Sequence, residues 1–367
     1  MRQLLFCAKD IRDYLNVVID TSEFYLPDFD PKFPPLNDAP AIQQVLCDCM
    51  KVHDDYERCL SAPICGETGI DGLRLDFNFG LRLEVPAGNF HVRIGDVDSE
   101  QIFFDRDISD VRLLSVEKYF IRWRVEVFSG GEKIFEHVIN LANQPVLVAF
   151  KRKAPLGDTI AYLRSLSEFE LRSGCKLTVC LPQYLREFAA QLYPELKQTD
   201  AVTFDNYATF YPAWVASNIP LTPVDARSVP LERLPENIFG MKLYPPKTTF
   251  KPTAPPVTDE PYICIAVQAS IPEKGWLWPN GWDIVVDYLK SLGYRVFCID
   301  KHATETSDKF TIRKPAAAEN FTGGGVHNSA PGEHALPRRI FYRAVERIGL
   351  ACRRGELSRR NDLRLFA

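Results

Sequence analysis

The hydrophobic period of this chain changes once, and that change limits what it can fold into. From about Gly66 to His137 apolar residues recur at every second position: Leu73, Leu75, Phe77 and Phe79, then Leu81, Leu83 and Val85. Phe90 to Ile94, Ile102-Phe103-Phe104 and Tyr119 to Val127 follow, and Gly130-Gly131 turns the last of these into Ile134-Phe135. Period two sends alternate side chains to opposite faces of a strand, so short strands separated by turn residues predict an antiparallel sheet or small barrel over 66–140. The alternating aromatics are read as its core. From Val146 the rhythm becomes strand, loop, helix. Val146 to Phe150 is a strand, a helix runs from near Asp158 to about Arg172 with Gly174 ending it, Lys176 to Leu181 is the next strand and Gln183 to Leu192 the next helix. Strands alternating with helices predict a parallel sheet, here a first Rossmann-like domain over 141–245.

The rest of the chain is punctuated differently. Residues 1–65 read as an N-terminal appendage with short helices over Asp10 to Asp20 and Ala39 to about Leu60, broken by Pro27, Pro31, Pro34 and Pro35. Tyr244 to Pro261 is rich in Pro and Thr and reads as an interdomain linker, centred on 246–261. Ile263 to Val267, Trp282 to Leu292 and Tyr294 to Ile299 then form a second strand–helix–strand unit, the start of a partial Rossmann-like domain over 262–322. Gly323-Gly324-Gly325 opens a tail dominated by arginine, from Arg338 to Arg364, with no lysine after Lys314.

Composition excludes several classes. A formal net charge of -4 argues against a general nucleic-acid binder. No apolar run approaches the roughly 20 residues of a membrane span, and Lys9 and Asp10 interrupt the N-terminus too early for a signal peptide, so a cytoplasmic protein is expected. The ten cysteines are then expected to be reduced. Cys47, Cys49, Cys59 and Cys65 have no common zinc spacing and are read as scattered thiols, and Cys175, Cys180, Cys264 and Cys298 as small hydrophobes in or beside strands. No metal site is expected.

Two segments carry the candidate chemistry, each where a strand hands over to a helix, the position at which open α/β sheets bind ligands. The first is Pro155-Leu156-Gly157-Asp158-Thr159-Ile160. Asp158 reads equally as a helix cap and as a base that takes a proton from an acceptor hydroxyl. The second runs from Gln268 through Lys274 to Trp282. Lys274 reads as a solvated surface cation, or as a group that stabilises a departing diphosphate; Trp276, Trp278 and Trp282 around it favour a positioned side chain. A carboxylate on one side of a cleft and a cation on the other is what a nucleotide-sugar transferase needs.

Phe120 to Val127, Phe135-Glu136-His137, Gly157-Asp158-Thr159-Ile160, Gly174 to Thr178, Glu260 to Gln268 and Gly293 to Asp300 together resemble the bacterial autotransporter O-heptosyltransferases, relatives of the lipopolysaccharide heptosyltransferases. The resemblance runs from about Gly66 to Phe321. It implies a GT-B-like pair of Rossmann-like domains, the second truncated, preceded by a small antiparallel β-barrel-like domain that recognises the acceptor. It also implies an ADP-heptose donor and serine acceptors on an autotransporter passenger, with room for a homo-oligomer. The family's base falls on Asp158 and its donor side on Lys274, with Gln268, Trp276 and Thr159 beside it. A lipopolysaccharide-type transferase acting on a lipid acceptor, and a passenger-binding remnant without activity, are the alternatives. Two departures touch the cleft: Leu277-Trp278-Pro279 stands for the family's Asn-Asn-Pro, and Lys151 to Leu156 for its Pro-Val-Gly-Thr-Leu.

The tail departs further. The family's Gly-Leu-Ser-Ser-Gly-Leu nucleotide loop and cysteine-rich iron site are missing from the translated sequence, so no cofactor is expected. Codons for Ala335 to Leu350, read one base later, permit RYHAEFFIGLSSGLA, which is the family pattern. The reading frame is therefore expected to slip between about Phe321 and Pro331, making 323–367 an out-of-frame tail, leaving the nucleotide pocket one wall short and the chain as written unstable or inactive. Sequencing the DNA between those two codons tests this. One base lost or gained relative to the genome is the expected result; an unchanged sequence makes the tail a genuine part of the chain.

Overall fold

The computed structural model describes residues 2–8, 24–25, 61–150, 156–212, 222–224, 228–244, 258–267, 275–276, 278–299, 304–306 and 311–320. The helices expected before residue 61, most of the linker and the tail beyond 320 lie outside them. The chain divides into two compact units, Met1–Thr248 and Thr249–Ala367.

In the first unit the strands are β1 (Arg2–Phe6), β2 (Phe24–Tyr25), β3 (Arg74–Asn78), β4 (Arg82–Val85), β5 (Phe90–Asp96), β6 (Ile102–Ile108), β7 (Val111–Ser115), β8 (Trp123–Ser129), β9 (Glu132–Val138), β10 (Pro145–Ala149), β11 (Lys176–Cys180), β12 (Gln198–Thr199) and β13 (Ala208–Phe210). The helices are α1 (Leu156–Ser173), α2 (Gln183–Leu192) and a short α3 (Leu234–Ile238). β8 shows why its sequence is a strand: Trp123, Val125 and Val127 are buried while Arg124 is exposed, the period-two pattern of a sheet with one covered face. β10 is buried along Val146 to Ala149, as a strand covered on both faces should be.

The period-two strands divide between two sheets. β6-β5-β8-β9 form a four-stranded antiparallel sheet. β3, β4 and β7 instead join the α/β strands in a mixed sheet of order β12-β11-β10-β13-β3-β4-β7-β1-β2. The join is parallel: Ala208 stands beside Phe77 and Thr209 beside Asn78. Phe77 N–H donates to the Tyr207 carbonyl at 2.8 Å and Phe79 N–H to the Thr209 carbonyl at 3.2 Å. β3, β4 and β7 therefore share one sheet with the strands of 141–245, and both stretches share one core, which runs from Leu4 to Leu243.

The reading of residues 1–65 as an appendage does not hold for the first strand. β1 pairs in parallel with the whole of β7, and Leu4, Leu5 and Phe6 are buried. Phe6 carries the mixed sheet onto the antiparallel one, its ring lying 5.8 Å from Phe104 and 5.9 Å, edge-on, from Trp123. Five residues of strand are short, and the apolar run Leu4-Leu5-Phe6-Cys7 gives no period of its own.

β3 shows where alternation misleads. Its polar positions are buried: Asp76 is 1% exposed and Asn78 0%. The strand lies mid-sheet, so both faces are covered and the polar groups need partners. Arg82 supplies one, its Nε donating to Asp76 Oδ1 at 2.7 Å and its Nη2 to Oδ2 at 2.6 Å. The same guanidinium donates to the carbonyls of Ala62 and Pro63, each at 3.3 Å, and so ties the entry segment to the sheet.

In the second unit β14 (Tyr262–Ile265), β15 (Arg295–Cys298) and β18 (Glu319–Asn320) pair in parallel in that order. α4 (Gly281–Ser291) covers the sheet through Val286, with Trp282 and Leu289 beside it. β16 (Thr304–Thr306) and β17 (Thr311–Arg313) pair antiparallel. Arg295 spans β15 and β18, donating to both carboxylate oxygens of Glu319, with Nε to Oε1 at 2.8 Å.

Removing one partner of the buried pair leaves the other charge uncompensated. Arg82→Ala is expected to lower the unfolding free energy by about 3–5 kcal/mol in urea denaturation. A loss below about 1 kcal/mol would contradict the role given to the pair.

Candidate functional site

The C-terminal ends of β10, β13 and β3 lie side by side, because Val148 stands beside Phe210 and Thr209 beside Asn78. α1 begins at Leu156, shortly after β10 ends at Ala149. Asp158 is thus the third residue of α1, inside its first turn, where the unsatisfied N–H groups and the helix dipole favour a carboxylate. Leu156 and Gly157 are already helical, so Asp158 is not the cap residue itself. Thr159, the next residue, is 1% exposed and lies on the face that carries Tyr162, Leu163 and Leu166 against the sheet.

Polar residues not singled out from the amino-acid order hold this edge in place. Asn78 accepts a hydrogen bond from Thr209 Oγ1 at 2.6 Å, and its amide nitrogen donates to the carbonyls of Phe204, at 3.2 Å, and Asn206. One side chain so fixes the hairpin, β13 and the loop ahead of β13. Gly80, with φ of 80°, lets the β3–β4 turn close against the next strand: a Cβ there would lie 2.3 Å from the Glu117 carbonyl oxygen and 2.5 Å from Ser115 Oγ. Glu117 and Lys118 are buried at the end of β7, Glu117 accepting from Ala8 N–H at 2.9 Å and Lys118 donating to the Ser115 carbonyl. A polar residue within an alternating run was the available signal for Asn78; burial of such positions depends on sheet order, which alternation does not encode.

On the second unit the donor-side segment is partly described. β14 ends at Ile265, three residues before Gln268. Gln268 and Lys274 lie outside the described residues. Trp276 is 40% exposed and packs edge-on to Trp282 at 5.3 Å. Its ring lies over the start of α4, where a Cβ on Gly281 would come within 2.9 Å of it. Asn280 precedes the helix with φ of 57°, a conformation asparagine tolerates better than most residues. Trp276 and Trp282 thus pack on each other at the start of α4, while Trp278 is 69% exposed.

Two histidines have opposite electrostatics. His91 lies between two carboxylates, its Nδ1 2.9 Å from Asp107 and its Nε2 2.6 Å from Asp105, and these bonds, Asp107 first, raise its pKa. His137 is sandwiched by Phe135 and Phe77, ring centroids 6.2 and 6.0 Å away, and burial lowers its pKa. Its Nε2 lies 2.8 Å from Tyr207 Oη, which also accepts from Asn140 N–H at 3.1 Å. Burial pushes the Tyr207 hydroxyl up to about 12, so it keeps its proton to donate to the neutral ring.

Among the described residues no group of three or more His, Cys, Asp or Glu side chains is placed to hold a metal. Cys7, Cys175 and Cys298 are buried in separate places, Cys65 is exposed, and burial raises the pKa of Cys7, Cys175 and Cys264 away from the thiolate form. These thiols do not fit an iron centre. Cys47, Cys49 and Cys59 lie outside the described residues. No described helix is long and apolar enough to cross a membrane.

Comparison with known proteins extends this geometry. Residues 69–131 match the family model of the glycosyltransferase TibC N-terminal domain. The chain is 34% identical over 263 residues to the autotransporter heptosyltransferase TibC of Escherichia coli O78:H11, covering 70% of this chain and 64% of that protein. It is 34% identical over 261 residues to the autotransporter heptosyltransferase BAHTCr of Citrobacter rodentium, again covering 70% and 64%. The crystal structure of the dodecameric, iron-containing heptosyltransferase TibC in complex with ADP-D-β-D-heptose superposes with a TM-score of 0.65 at 32% identity, over 72% of this chain and 70% of that one. The fold is therefore that of an α/β glycosyltransferase. More narrowly, the chain belongs to the autotransporter heptosyltransferase family, and it spans 64% of the length of these curated relatives.

The histidines give a pH test. The folded chain holds His137 below its unfolded value of about 6.5, so between the two the unfolded state binds the extra proton. That contribution is present above about pH 6.5 and is lost as pH falls through the lowered value. His91 has the reverse sign, its contribution present below about pH 6.5 and lost as pH rises through its raised value. His137→Phe keeps the stack and removes the titration. Its melting temperature is expected to fall less than that of the unsubstituted protein between pH 7 and pH 5; equal slopes would rule this assignment out.

Proposed function

We propose that this chain is a protein O-heptosyltransferase of the GT-B type, transferring heptose from ADP-heptose to serine hydroxyls of an autotransporter passenger. Asp158 takes the proton of the serine hydroxyl. The oxygen attacks the anomeric carbon, the bond from that carbon to the diphosphate breaks, and ADP leaves carrying the electron pair. Lys274 stabilises the charge that builds on the diphosphate, with Gln268 and Trp276 on the donor side; Thr159, expected there, is instead buried on α1 of the first unit, out of a donor's reach. The strand-rich part of the first unit recognises the passenger. The enzyme works in the cytoplasm as a homo-oligomer, as its dodecameric relative TibC suggests.

The observation that carries this reading is the position of Asp158 in the first turn of the helix following β10, in a chain of this family. Open α/β sheets bind ligands at this edge, which supports a catalytic reading of a residue there. The iron is named for TibC, and no step proposed for this chain runs through it.

The test is heptose transfer from ADP-heptose to a purified passenger, read by intact mass, on the chain with its reading frame restored beyond about Phe321, since the chain as written is expected to be inactive. Each modified serine adds one heptose. Asp158→Asn is expected to lower the rate about 10²–10⁴-fold and Lys274→Ala about 10²–10³-fold. Undiminished transfer by Asp158→Asn removes Asp158 as the base. Passenger binding with no transfer by the unsubstituted chain favours the non-catalytic alternative.

A further inference from the structure

A second concave region lies at the opposite edge of the mixed sheet from α1. β1 and β7 run parallel to β3, β13 and β10, so Arg2 and Val111, at the starts of β1 and β7, mark the N-terminal edge of those strands. The four-stranded sheet ends there too, at Phe90, Ile108 and the Gly130-Gly131 turn from β8 into β9. These segments enclose a cavity of about 690 Å³, within the roughly 300–1,000 Å³ of sites for small organic ligands. Nothing lies within 4 Å of a Cβ built on Gly130 or Gly131, so that rim is open.

The walls are basic, in a chain whose formal net charge is -4. Arg2, Arg93 and Arg106 come from β1, β5 and β6. Alternation sends Arg93 and Arg106 to opposite faces of the four-stranded sheet, and at its end both line the cavity. Two carboxylates stand beside them, Asp105 and Asp107, and His91 bonds both, which raises its pKa and favours the charged ring. Arg93 is held in place. Its Nε donates to Asp105 Oδ2 at 3.2 Å, and its guanidinium lies over the Phe128 ring, 5.7 Å from the centroid. A guanidinium carries five N–H donors, so both Nη groups remain to donate to a ligand. Such forks match the oxygens of phosphate. A phosphate monoester carries a charge of about −1.5 to −2 at neutral pH, which several guanidiniums balance better than they would a single carboxylate. Phe90, Ile108, Val111 and Phe128 make the rest of the wall apolar, which suits a carbon skeleton attached to the phosphate. We propose that this cavity binds a small organic phosphate through Arg93, Arg106 and Arg2, an assignment that does not rest on the transfer reaction.

Isothermal titration of the full chain with glucose 6-phosphate, AMP and inorganic phosphate tests it. Saturable one-to-one binding of glucose 6-phosphate or AMP is expected, and which of them binds tells a sugar phosphate from a nucleotide. The affinity should fall as salt is raised. Arg93→Met and Arg106→Met should each weaken binding roughly ten- to hundredfold, with circular dichroism unchanged because both side chains reach solvent. Arg93→Lys, which keeps the charge and loses the fork, should fall between Arg93→Met and the unsubstituted chain. Inorganic phosphate binding as tightly as both organic phosphates overturns the organic ligand. No saturable binding at millimolar concentration, or binding undiminished in both methionine variants, overturns the site.

Discussion

The parallel pairing of β13 with β3 is the constraint on which the first unit depends. It joins a strand of the α/β half to a strand of the hairpin half through Phe77, Asn78, Ala208 and Thr209. Without it β10, β11, β12 and β13 would end in an open edge, and β3 would lose one of the two neighbours that make its buried polar groups tolerable. The Asn78 amide and the Thr209 hydroxyl are satisfied across that pairing, while the Asp76–Arg82 pair is set by the β3–β4 hairpin beside it. A slip of one residue would turn the apolar and polar sets of β3 to the wrong faces.

That pairing also sets the sheet edge near which the proposed base lies. The C-terminal ends of β10, β13 and β3 are held level by the same hydrogen bonds, and α1 starts beyond the first of them. Asp158 lies in the first turn of the helix that follows β10 in this sheet. Phe169 and Phe239 stack at 4.2 Å behind it, α1 against the segment that follows α3. Gly240, with φ of 63°, lets that segment approach Phe120: a Cβ there would lie 2.3 Å from the ring. The strand-rich residues matched by the family model are thus packed directly into the unit that carries the proposed base.

Much of this was legible in the amino-acid order. Period two marked β5, β8 and β9, and continuous apolar runs marked β10, β11, β14 and β15, since the solvent exposure that sets those periods is local to each strand. The starts of α1, α2 and α4 fell within a few residues of the expected positions. Sheet membership was not legible. Whether β3 lies beside β13 or closes a barrel with β8 depends on contacts more than a hundred residues apart, and both arrangements use the same alternation. β1 was hidden for a related reason: Leu4-Leu5-Phe6 is apolar without a period, and only its pairing with β7 makes it a strand. At the site, the strand-to-helix position of Asp158 could be read from pattern, whereas the Asn78–Thr209 bond could not, because it needs the register.

Native-state hydrogen exchange tests the shared sheet most directly. The amides of Phe77 and Phe79 donate across the seam to Tyr207 and Thr209. If the two halves form one cooperative core, these amides exchange only through the same global opening as Val125 in the four-stranded sheet and Val148 in β10, with one common denaturant dependence. Phe77 and Phe79 exchanging by a separate, lower-energy opening while Val148 stays protected would contradict the account, because the strand-rich half would then fold as a domain of its own.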